Sequence, residues 1–367
     1  EMLANIVSLK KNIIVTGSHG KTTTTSLIAK ILSTSKLDPT IINGGVINSI
    51  KNNAKFGKGE WTVLEADESD GSFLKLPINY SVVTNIDNEH LDFYKNYLNL
   101  KNAFIKFINK TPPIGKSIVC IDDLDIRRIL KDIKNKNYLT YGFNKDANYQ
   151  ITNVEYHLNN TKFDLKIRSH GSNTIIIKNI TLNLIGKHNV LNSTAAIAIC
   201  LNLGIKTNLI KKALNNFSGV QRRLTKIFTK NKIEFFDDYA HHPTEIRAVL
   251  EGLGQVYKNR KIISVFQPHR YSRVKSLKNE FAKSFNVSDI VILCPIYAAG
   301  EKKDKYYNQE NFAKLIAVKS KLQVVIIKNE IELEKYLKKN LLGNEIVIGM
   351  GAGSISKWMR ELKFSLW

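Results

Sequence analysis

The 367-residue chain has few cysteines, no long apolar run and a shortage of acidic residues. Its three cysteines are far apart in apolar surroundings, so we expect neither disulfides nor a cysteine metal site; they are Cys120, Cys200 and Cys294. No apolar run approaches the roughly 18 residues of a membrane span. The opening EMLANIVSLK also lacks the basic and apolar segments of a signal peptide. We therefore expect a cytoplasmic protein with no membrane partner.

The shortage of acidic residues leaves a formal net charge of +23, from 55 Lys and Arg against 32 Asp and Glu. Such an excess suggests nucleic acid or another anionic partner. The lysines are dispersed, however, and no segment is both densely basic and interleaved with aromatic residues. We interpret the charge as a compositional bias that also favours an anionic substrate, and we expect no nucleic-acid partner.

The segment GSHGKTT, residues 17–23, lies between a β-branched run and a predicted helix over 22–32. A strand–loop–helix of this kind aims backbone N–H groups and the positive end of the helix dipole at an anion. Lys21 would add a point charge for phosphate, and the Thr22 hydroxyl suits a magnesium ligand. The spacing departs from the G-x-x-x-x-G-K-[ST] pattern, because Val15 stands where the first glycine is usual.

Strand and helix patterns alternate along most of the chain, which predicts an α/β fold with parallel sheets. Within the first half, residues 147–185 instead predict successive antiparallel strands. A second α/β series begins after GVQRRL, so we place a domain boundary at Arg222. The final glycine segment, GMGAGS, lacks the spacing of a dinucleotide fingerprint and is interpreted as a tight turn.

Acidic and polar side chains follow two predicted strands, WTVLEAD and YSVVTNI. The end of the first strand and the loop after it carry Glu65, Asp67, Glu68 and Asp70. The end of the second strand and the loop after it carry Asn85, Asp87, Glu89 and His90. The carboxyl ends of parallel strands are where such sheets bind ligands. Because Mg²⁺ in nucleotide sites is held by one or two protein groups together with phosphates, these ends are candidate metal positions.

Together these motifs resemble the Mur ligase family of ATP-dependent amide-forming enzymes. The family's loop has the form G-x-x-G-K-T-[ST], which GSHGKTT matches, so the departure at Val15 is a family trait. The resemblance covers nearly the whole chain through EADESDGSFL, TNIDNEHLD, GKHNVLNSTAAIA, GVQRRL, DDYAHHPTEI and FQPHRYSR. It is greatest to the branch that joins L-alanine to the carboxyl group of UDP-N-acetylmuramate for peptidoglycan synthesis.

The resemblance implies a fold of two domains and two cofactors, ATP and Mg²⁺. Residues 1–222 would form the central P-loop ATP-binding α/β domain with a small antiparallel β insertion, and residues 223–367 a C-terminal Rossmann-like α/β domain. The family also has an N-terminal UDP-binding domain, for which no room remains before Gly17. We therefore expect residues 1–367 to bind Mg-ATP but to show little or no ligase activity at ordinary substrate concentrations. The oligomeric state stays open.

The resemblance also implies roles for individual residues. The ATP-binding set is Gly17, Ser18, His19, Gly20, Lys21, Thr22, Thr23, Asn189, Asn192, Arg223 and Asp238. Thr22 and Glu65 would hold one Mg²⁺ and His90 a second, whereas Tyr239, His241, Arg270 and Arg273 would face the amino acid and the muramoyl carboxyl. The catalytic residues would be Lys21, Glu65, His90 and His241. For His241, packing at a helix N-terminus is the alternative.

The implied reaction transfers the γ-phosphoryl group of ATP to a carboxylate, and an amine then displaces phosphate from the acyl phosphate. In several family members a carbamate-modified lysine follows the metal-binding histidine; Phe104 stands there in this chain. Three alternatives remain open: a ligase that recycles a tripeptide, a folylpolyglutamate synthase and an ATP-binding module without catalysis. The histidines and arginines of the second half disfavour the folate enzyme.

Overall fold

The structure is a computed structural model that describes residues 2–168 and 174–365. The chain divides into two compact units, Glu1–Gln221 (unit 1) and Arg222–Trp367 (unit 2). Both are α/β, as the sequence predicts. Among the described residues, no helix combines the length and the apolar character needed to cross a membrane.

Unit 1 mixes strands and helices as far as its seventh strand, after which three strands follow one another directly. Its elements are α1 (Met2–Val7), β1 (Lys11–Thr16), α2 (Lys21–Thr34), β2 (Thr40–Ile47), β3 (Asn52–Lys55), β4 (Trp61–Glu65), β5 (Tyr80–Val83), α3 (Leu91–Tyr94), α4 (Tyr97–Asn109), β6 (Ser117–Cys120), α5 (Leu124–Ile129), β7 (Tyr138–Gly142), β8 (Tyr149–Tyr156), β9 (Thr161–Arg168), β10 (Thr174–Leu182), α6 (Lys187–Asn202) and α7 (Thr207–Asn215).

The strands of unit 1 form one ten-stranded sheet in the order β10-β9-β8-β7-β6-β5-β1-β4-β2-β3. Its central strands are parallel, and β8, β9 and β10 pair antiparallel with one another. Since β8 also pairs with β7, the predicted insertion extends the main sheet instead of forming a separate one. Part of the predicted strand NTIIIKNITLNL, at residue 173, lies outside the described residues.

The middle of this sheet is fully buried, which explains the uninterrupted apolar run of β1. Ile13, Ile14 and Val15 are 0% exposed, as expected for a parallel strand covered on both faces. On α4, Phe104 is also 0% exposed and lies 5.6 Å, centroid to centroid, from the Phe73 ring. Phe104 is therefore a core residue.

Unit 2 is a smaller α/β unit. Its elements are β11 (Thr225–Lys230), β12 (Ile233–Asp238), α8 (Pro243–Val256), β13 (Ile262–Phe266), α9 (Tyr271–Ser276), α10 (Lys278–Ala282), β14 (Ile290–Leu293), α11 (Gln309–Ser320), β15 (Gln323–Ile326), α12 (Glu330–Asn340), β16 (Ile346–Met350) and α13 (Ile355–Ser365). They form a six-stranded sheet in the order β11-β12-β16-β13-β14-β15, parallel except for β11.

In both units, the register brings the ends of separate strands to one edge of the sheet. In unit 1, Val15 of β1 pairs with Glu65 of β4, and Thr16 pairs with Val83 of β5. In unit 2, Asp238, Met350 and Phe266 end β12, β16 and β13 at the same level. The loops that follow these strands carry the predicted site residues.

The glycine turn after β16 is explained by packing. A Cβ atom on Gly351 would lie 2.8 Å from the Gln267 carbonyl oxygen, and one on Gly353 would lie 2.5 Å from a Tyr297 ring carbon. The side chain of Gln267 accepts a hydrogen bond from the Ile355 N–H at 3.0 Å. The glycines therefore permit close packing of this turn against the loops that follow β13 and β14.

Candidate active site

The loop between β1 and α2 adopts a backbone conformation that requires glycine at two positions. Gly17 and Gly20 have φ values of 123° and 84°, a region that side chains disfavour. A Cβ atom would also lie 2.3 Å from Thr84 Oγ1 at Gly17 and 2.4 Å from Asn192 Oδ1 at Gly20. Both the backbone conformation and the lack of room for a Cβ atom therefore require glycine at these two positions.

The loop between β1 and α2, together with the first residues of α2 (residues 17–23), has the form of a phosphate-binding loop and is called the phosphate-type loop below. The loop after β5 holds it in place. The Ser18 N–H donates to the Asn85 carbonyl at 3.1 Å, and the His19 N–H donates to Asn85 Oδ1 at 2.8 Å. In return, Thr84 Oγ1 and Asn85 Nδ2 donate to the His19 carbonyl at 2.6 and 2.9 Å. The Asp87 N–H donates to Ser18 Oγ at 2.8 Å. These bonds preorganise the loop without any ligand.

Lys21 is a cation held among carboxylates. Its Nζ donates to the Gly17 carbonyl at 2.8 Å and to Glu68 Oε2 at 2.9 Å. Burial alone would lower the Lys21 pKa, but the charges of Glu68, Asp67 and Glu65 outweigh it and raise the pKa above its usual value. The ammonium group therefore stays charged, as stabilising a transferred phosphoryl group requires.

Thr22 and Glu65, which by the family resemblance would hold one metal ion together, are in contact. The Thr22 hydroxyl donates to Glu65 Oε1 at 3.0 Å, and the Gly44 N–H donates to Glu65 Oε2 at 2.6 Å. Thr22 and Thr23 both begin the buried helix α2. A hydroxyl beside a carboxylate at a helix N-terminus offers oxygen ligands of the kind that Mg²⁺ prefers.

His90 lies on the neighbouring loop, at the start of α3, with a φ of 58°. Its Nε2 is 3.8 Å from both Glu68 Oε1 and Glu89 Oε2, too far for a hydrogen bond. The ligand atoms of Asp67, Glu68 and His90 lie within 4.8 Å of one another and form a group suited to a metal ion. Sequence reasoning noticed Glu68 only as a loop acid.

Asn189 and Asn192 begin helix α6 and are buried, at 6% and 7% exposure. Asn189 Nδ2 donates to the Ile185 carbonyl at 2.8 Å, and Asn192 Oδ1 packs against Gly20. The structure therefore brings Asn192 to the phosphate-type loop. Their predicted contact with adenine stays a prediction.

In unit 2, Asp238 is a buried carboxyl at the end of β12. It accepts hydrogen bonds from the Leu224 N–H at 2.6 Å and the Ala240 N–H at 2.7 Å. Burial raises its pKa to about 6, although Arg223 and these N–H groups act in the opposite direction. Arg223 also lies 3.8 Å from Glu245 Oε1. Asp238 thus fixes the turn that carries the next site residues.

His241 is an uncharged imidazole at neutral pH. Burial, with Arg273 and Arg223 nearby, lowers its pKa to about 4 although Glu245 acts in the opposite direction. Its Nδ1 lies 2.9 Å from the Tyr239 carbonyl oxygen. Because a carbonyl only accepts, Nδ1 carries the proton and Nε2 has the free lone pair. That nitrogen suits a proton acceptor.

The structure separates the two adjacent histidines by role. His242, which is 3% exposed, is the N-cap of α8, and Glu245 completes a capping box there. His241 also contacts the start of α8, since its N–H donates to Glu245 Oε2 at 3.0 Å, so the site role of His241 stays a prediction. The Tyr239 ring lies beneath Arg222 and Arg223, whose guanidinium carbons are 4.6 and 5.3 Å from its centroid.

The loop after β13 brings Arg270 and Arg273 beside a residue that sequence reasoning missed. Arg273 Nη1 donates to His269 Nδ1 at 3.1 Å, and the His269 and His241 rings are 5.6 Å apart. His269 also stacks on Tyr297, at 5.7 Å and 14°. The signal was present, since His269 lies within FQPHRYSR, but only the arginines were assigned.

Arg270 has an exposed side chain and an unusual backbone. Its φ is 65°, and its N–H donates to the Tyr297 carbonyl at 2.9 Å. A positive φ at a residue other than glycine costs free energy and is often found at functional sites. Each unit thus carries its own group of polar residues: unit 1 suits phosphate and a metal, and unit 2 suits a carboxylate and a proton transfer.

Comparison with known proteins identifies the class. Residues 15–200 match the Mur ligase middle domain, and residues 222–353 match the Mur ligase glutamate ligase domain. The chain belongs to the Mur ligase family, whose members use ATP.

Within that family, the similar relatives share one name. The UDP-N-acetylmuramate–L-alanine ligase of Pelagibacter ubique is 56% identical over 362 residues, which cover 99% of this chain and 78% of the relative. The enzyme of the same name from Brucella anthropi is 41% identical, with 99% and 77% covered. The crystal structure of UDP-N-acetylmuramate-alanine ligase from Thermotoga maritima superposes with a TM-score of 0.80 at 28% identity, covering 99% of this chain and 77% of that one.

Proposed function

We propose that this protein joins L-alanine to the carboxyl group of UDP-N-acetylmuramate and cleaves ATP to ADP and phosphate. The geometric observation that carries the reaction class is Lys21, a charged ammonium held at the mouth of a preorganised phosphate-type loop. The choice of L-alanine and UDP-N-acetylmuramate is supported by the names of relatives 41% and 56% identical. The proposed location is the cytoplasm.

In the first half-reaction, a carboxylate attacks the γ-phosphorus of ATP, so two anions must approach each other. The charge on Lys21 and the N–H groups of the loop would neutralise the transferred group. The Ser18 and His19 N–H groups donate to the Asn85 carbonyl and to Asn85 Oδ1, which holds this part of the loop in place, so no reorganisation of the loop is needed at this step. The bond between the γ-phosphorus and the bridging oxygen breaks and ADP leaves, which gives an acyl phosphate with phosphate as a good leaving group.

The residues present fit a magnesium ion. Thr22 Oγ1 and Glu65 Oε1, 3.0 Å apart, are hard oxygen ligands, and Glu68 Oε1 is a buried oxygen without a hydrogen-bond partner among the described residues. Thr22 and Glu65 would hold one ion, and His90 is the proposed ligand of a second. When bound, Mg²⁺ would supply positive charge against the phosphates.

In the second half-reaction, the amine of alanine must be uncharged when it displaces phosphate. We assign proton acceptance to His241 Nε2, because the Nδ1 proton is engaged by the Tyr239 carbonyl, and burial lowers the pKa of the imidazole so that the ring is uncharged at neutral pH. Arg270 and Arg273 would bind carboxylates, since a guanidinium group makes a planar two-point contact. Tyr239, beneath Arg222 and Arg223, would line the same edge.

The test is phosphate release by the full chain with ATP, Mg²⁺ and saturating UDP-N-acetylmuramate, against a panel of amino acids and a tripeptide. At saturating UDP-N-acetylmuramate we expect slow release that depends on L-alanine, with still weaker rates for larger amino acids, in keeping with the little activity expected of residues 1–367 at ordinary substrate concentrations. Release that responds to the tripeptide instead would assign the protein to the recycling ligases. ATP binding without release with any acceptor would mean that the protein binds nucleotide but does not catalyse.

A further inference from the structure

Glu245, in the first turn of α8, contacts the imidazole of His241 on the side of Nδ1. Glu245 Oε2 lies 3.3 Å from His241 Nδ1 and accepts the His241 N–H at 3.0 Å. The same oxygen accepts the His242 N–H at 3.3 Å. Completing the capping box of α8 explains the bond to His242, but it does not explain the contact with the His241 ring.

The Glu245 carboxylate is held in a fixed position. Its side chain is 13% exposed, and two backbone N–H groups share its Oε2. Arg223 Nη1 lies 3.8 Å from the other oxygen, Oε1. The N-terminus of α8 adds the positive end of the helix dipole, which stabilises a negative charge in the first turn. The carboxylate is therefore in place beside the His241 ring without any ligand.

The two ring nitrogens of His241 face different partners. Nδ1 donates to the Tyr239 carbonyl at 2.9 Å and has Glu245 Oε2 beside it, so Nε2 is the nitrogen that can accept a proton. As the amine forms the amide bond and the carbon–oxygen bond to phosphate breaks, one proton passes from the amine nitrogen to Nε2. The imidazole then carries a positive charge, and its contact with Glu245 at 3.3 Å becomes an ion pair. An interaction that strengthens only when the proton moves stabilises the transition state more than the ground state.

The other charged groups that face the ring oppose a positive charge there. Arg273, Arg223 and burial lower the pKa of His241, whereas Glu245 raises it. The His269 ring, 5.6 Å away, is uncharged at neutral pH because burial lowers its pKa to about 4. Of these charged groups, Glu245 is the one that favours the imidazolium form.

We propose that Glu245 is a positioning residue for His241, which orients the imidazole through Nδ1 and stabilises the imidazolium that forms when Nε2 accepts the proton of the amine. This inference rests on the proposed function and deepens it, because it gives the second half-reaction a group that acts through another residue. The alternative is a purely structural role in the cap of α8. A capping box accepts glutamine as well as glutamate at this position, so Glu245→Gln separates the two roles.

The test is a double-mutant cycle of Glu245→Gln and His241→Gln, with phosphate release measured at saturating ATP, UDP-N-acetylmuramate and L-alanine. Glu245→Gln should lower kcat about tenfold with little change in the KM for L-alanine, because loss of a neighbouring carboxylate lowers an imidazole pKa by about one unit or more. The thermal midpoint should stay within about 3 °C of wild type, because glutamine accepts the same backbone hydrogen bonds. In the His241→Gln background, Glu245→Gln should cause no further loss of kcat, since the imidazole through which it acts is absent.

Glu332→Gln is the matched control. Glu332 occupies the corresponding position in the first turn of α12, where its Oε2 accepts the Lys328 N–H at 2.7 Å. Its carboxylate thus contacts a backbone N–H instead of a histidine, and we expect Glu332→Gln to keep kcat within about twofold of wild type. Equal losses of kcat in Glu245→Gln and Glu332→Gln would overturn the proposal. A similar loss from Glu245→Gln in the wild-type and His241→Gln backgrounds would also overturn it, because the effect would not pass through the imidazole.

Nuclear magnetic resonance of protein with ¹⁵N-labelled histidine separates this inference from the proposed function. Glu245→Gln should shift the Nδ1–H signal of His241, and Glu332→Gln should leave it unchanged. Wild-type release with L-alanine, together with an unchanged signal and kcat in Glu245→Gln, would reject the positioning role and keep the ligase. A shifted signal without any L-alanine-dependent release by wild type would support the contact and reject the ligase. If Glu245→Gln fails to fold, a strongly deshielded Nδ1 proton in wild type would support the proposal, and an Nε2-protonated tautomer would overturn it.

Discussion

The two units place charge around their site residues in opposite ways. In unit 1, three carboxylates surround Lys21 and raise its pKa in spite of burial. In unit 2, burial and two arginines lower the pKa of His241 to about 4. The first environment keeps a cation charged, and the second keeps a base uncharged. This difference matches the two half-reactions proposed above, in which phosphate transfer needs positive charge and amine attack needs a proton acceptor.

The largest effect is expected for Lys21→Ala, which should lower phosphate release about a thousandfold or more because the charge on the transferred group is lost. It should also destabilise unit 1 by about 3 kcal/mol, since Glu68 would remain buried without its partner. Steady-state kinetics and urea denaturation measure the two effects. The double variant Lys21→Ala/Glu68→Gln should recover stability but not activity. Recovery of activity would mean that Lys21 has only a structural role.

The next effect concerns His241. Removing a general base typically costs about 100- to 10,000-fold, so His241→Gln should lower kcat by at least about 100-fold with little change in ATP affinity. His242→Gln is the control; it should lose stability through the cap of α8 and keep kcat per folded molecule. If the two variants exchange these behaviours, the assignment of the base is wrong.

A smaller effect is expected for Arg270→Lys, because lysine lacks the planar two-point contact of a guanidinium group. The KM for L-alanine should rise about tenfold, and the KM for ATP should stay unchanged. Initial rates at varied L-alanine and varied ATP separate these quantities. A change confined to ATP would place Arg270 on the nucleotide.

The smallest effect is on the pH dependence of stability. The pKa of His241 is about 4 in the folded protein against an ordinary value of 6.5, so below pH 6.5 the unfolded chain binds more protons and stability falls as pH decreases. Asp238, with its pKa raised to about 6, acts in the opposite direction below that pH. Between pH 7 and 5, His241→Gln should lose less unfolding free energy than wild type, by about 2 kcal/mol. A larger loss in the variant would contradict the uncharged imidazole.

Much of the fold was predictable because its signals are local. The β-branched run of β1 and the glycine loop define the start of unit 1, and helix α2, predicted over 22–32, is observed at Lys21–Thr34. The continuous sheet was not predictable, since the pairing of β7 with β8 depends on contacts made after folding. Strand β2 was missed because TIINGGVI contains two glycines, which are rare in strands.

The site residues were predictable where they belong to one sequence motif. They were less predictable where two interacting residues lie far apart in the sequence. Lys21 and Glu68 are 47 positions apart, so the sequence presents Glu68 as one loop acid among several. The pair His241-His242 shows the same limit. Two adjacent histidines before a proline do not indicate which one caps the helix, and only the backbone of α8 assigns that role to His242.

The division of labour between the units is tested most directly by trapping the acyl phosphate with hydroxylamine, in the presence of ATP, Mg²⁺ and UDP-N-acetylmuramate but without L-alanine. Wild type and His241→Gln should form the hydroxamate at similar rates, because unit 2's base acts only after phosphoryl transfer. Lys21→Ala should form none above background. Equal loss of hydroxamate in His241→Gln and Lys21→Ala would contradict the assignment of the two half-reactions to the two units.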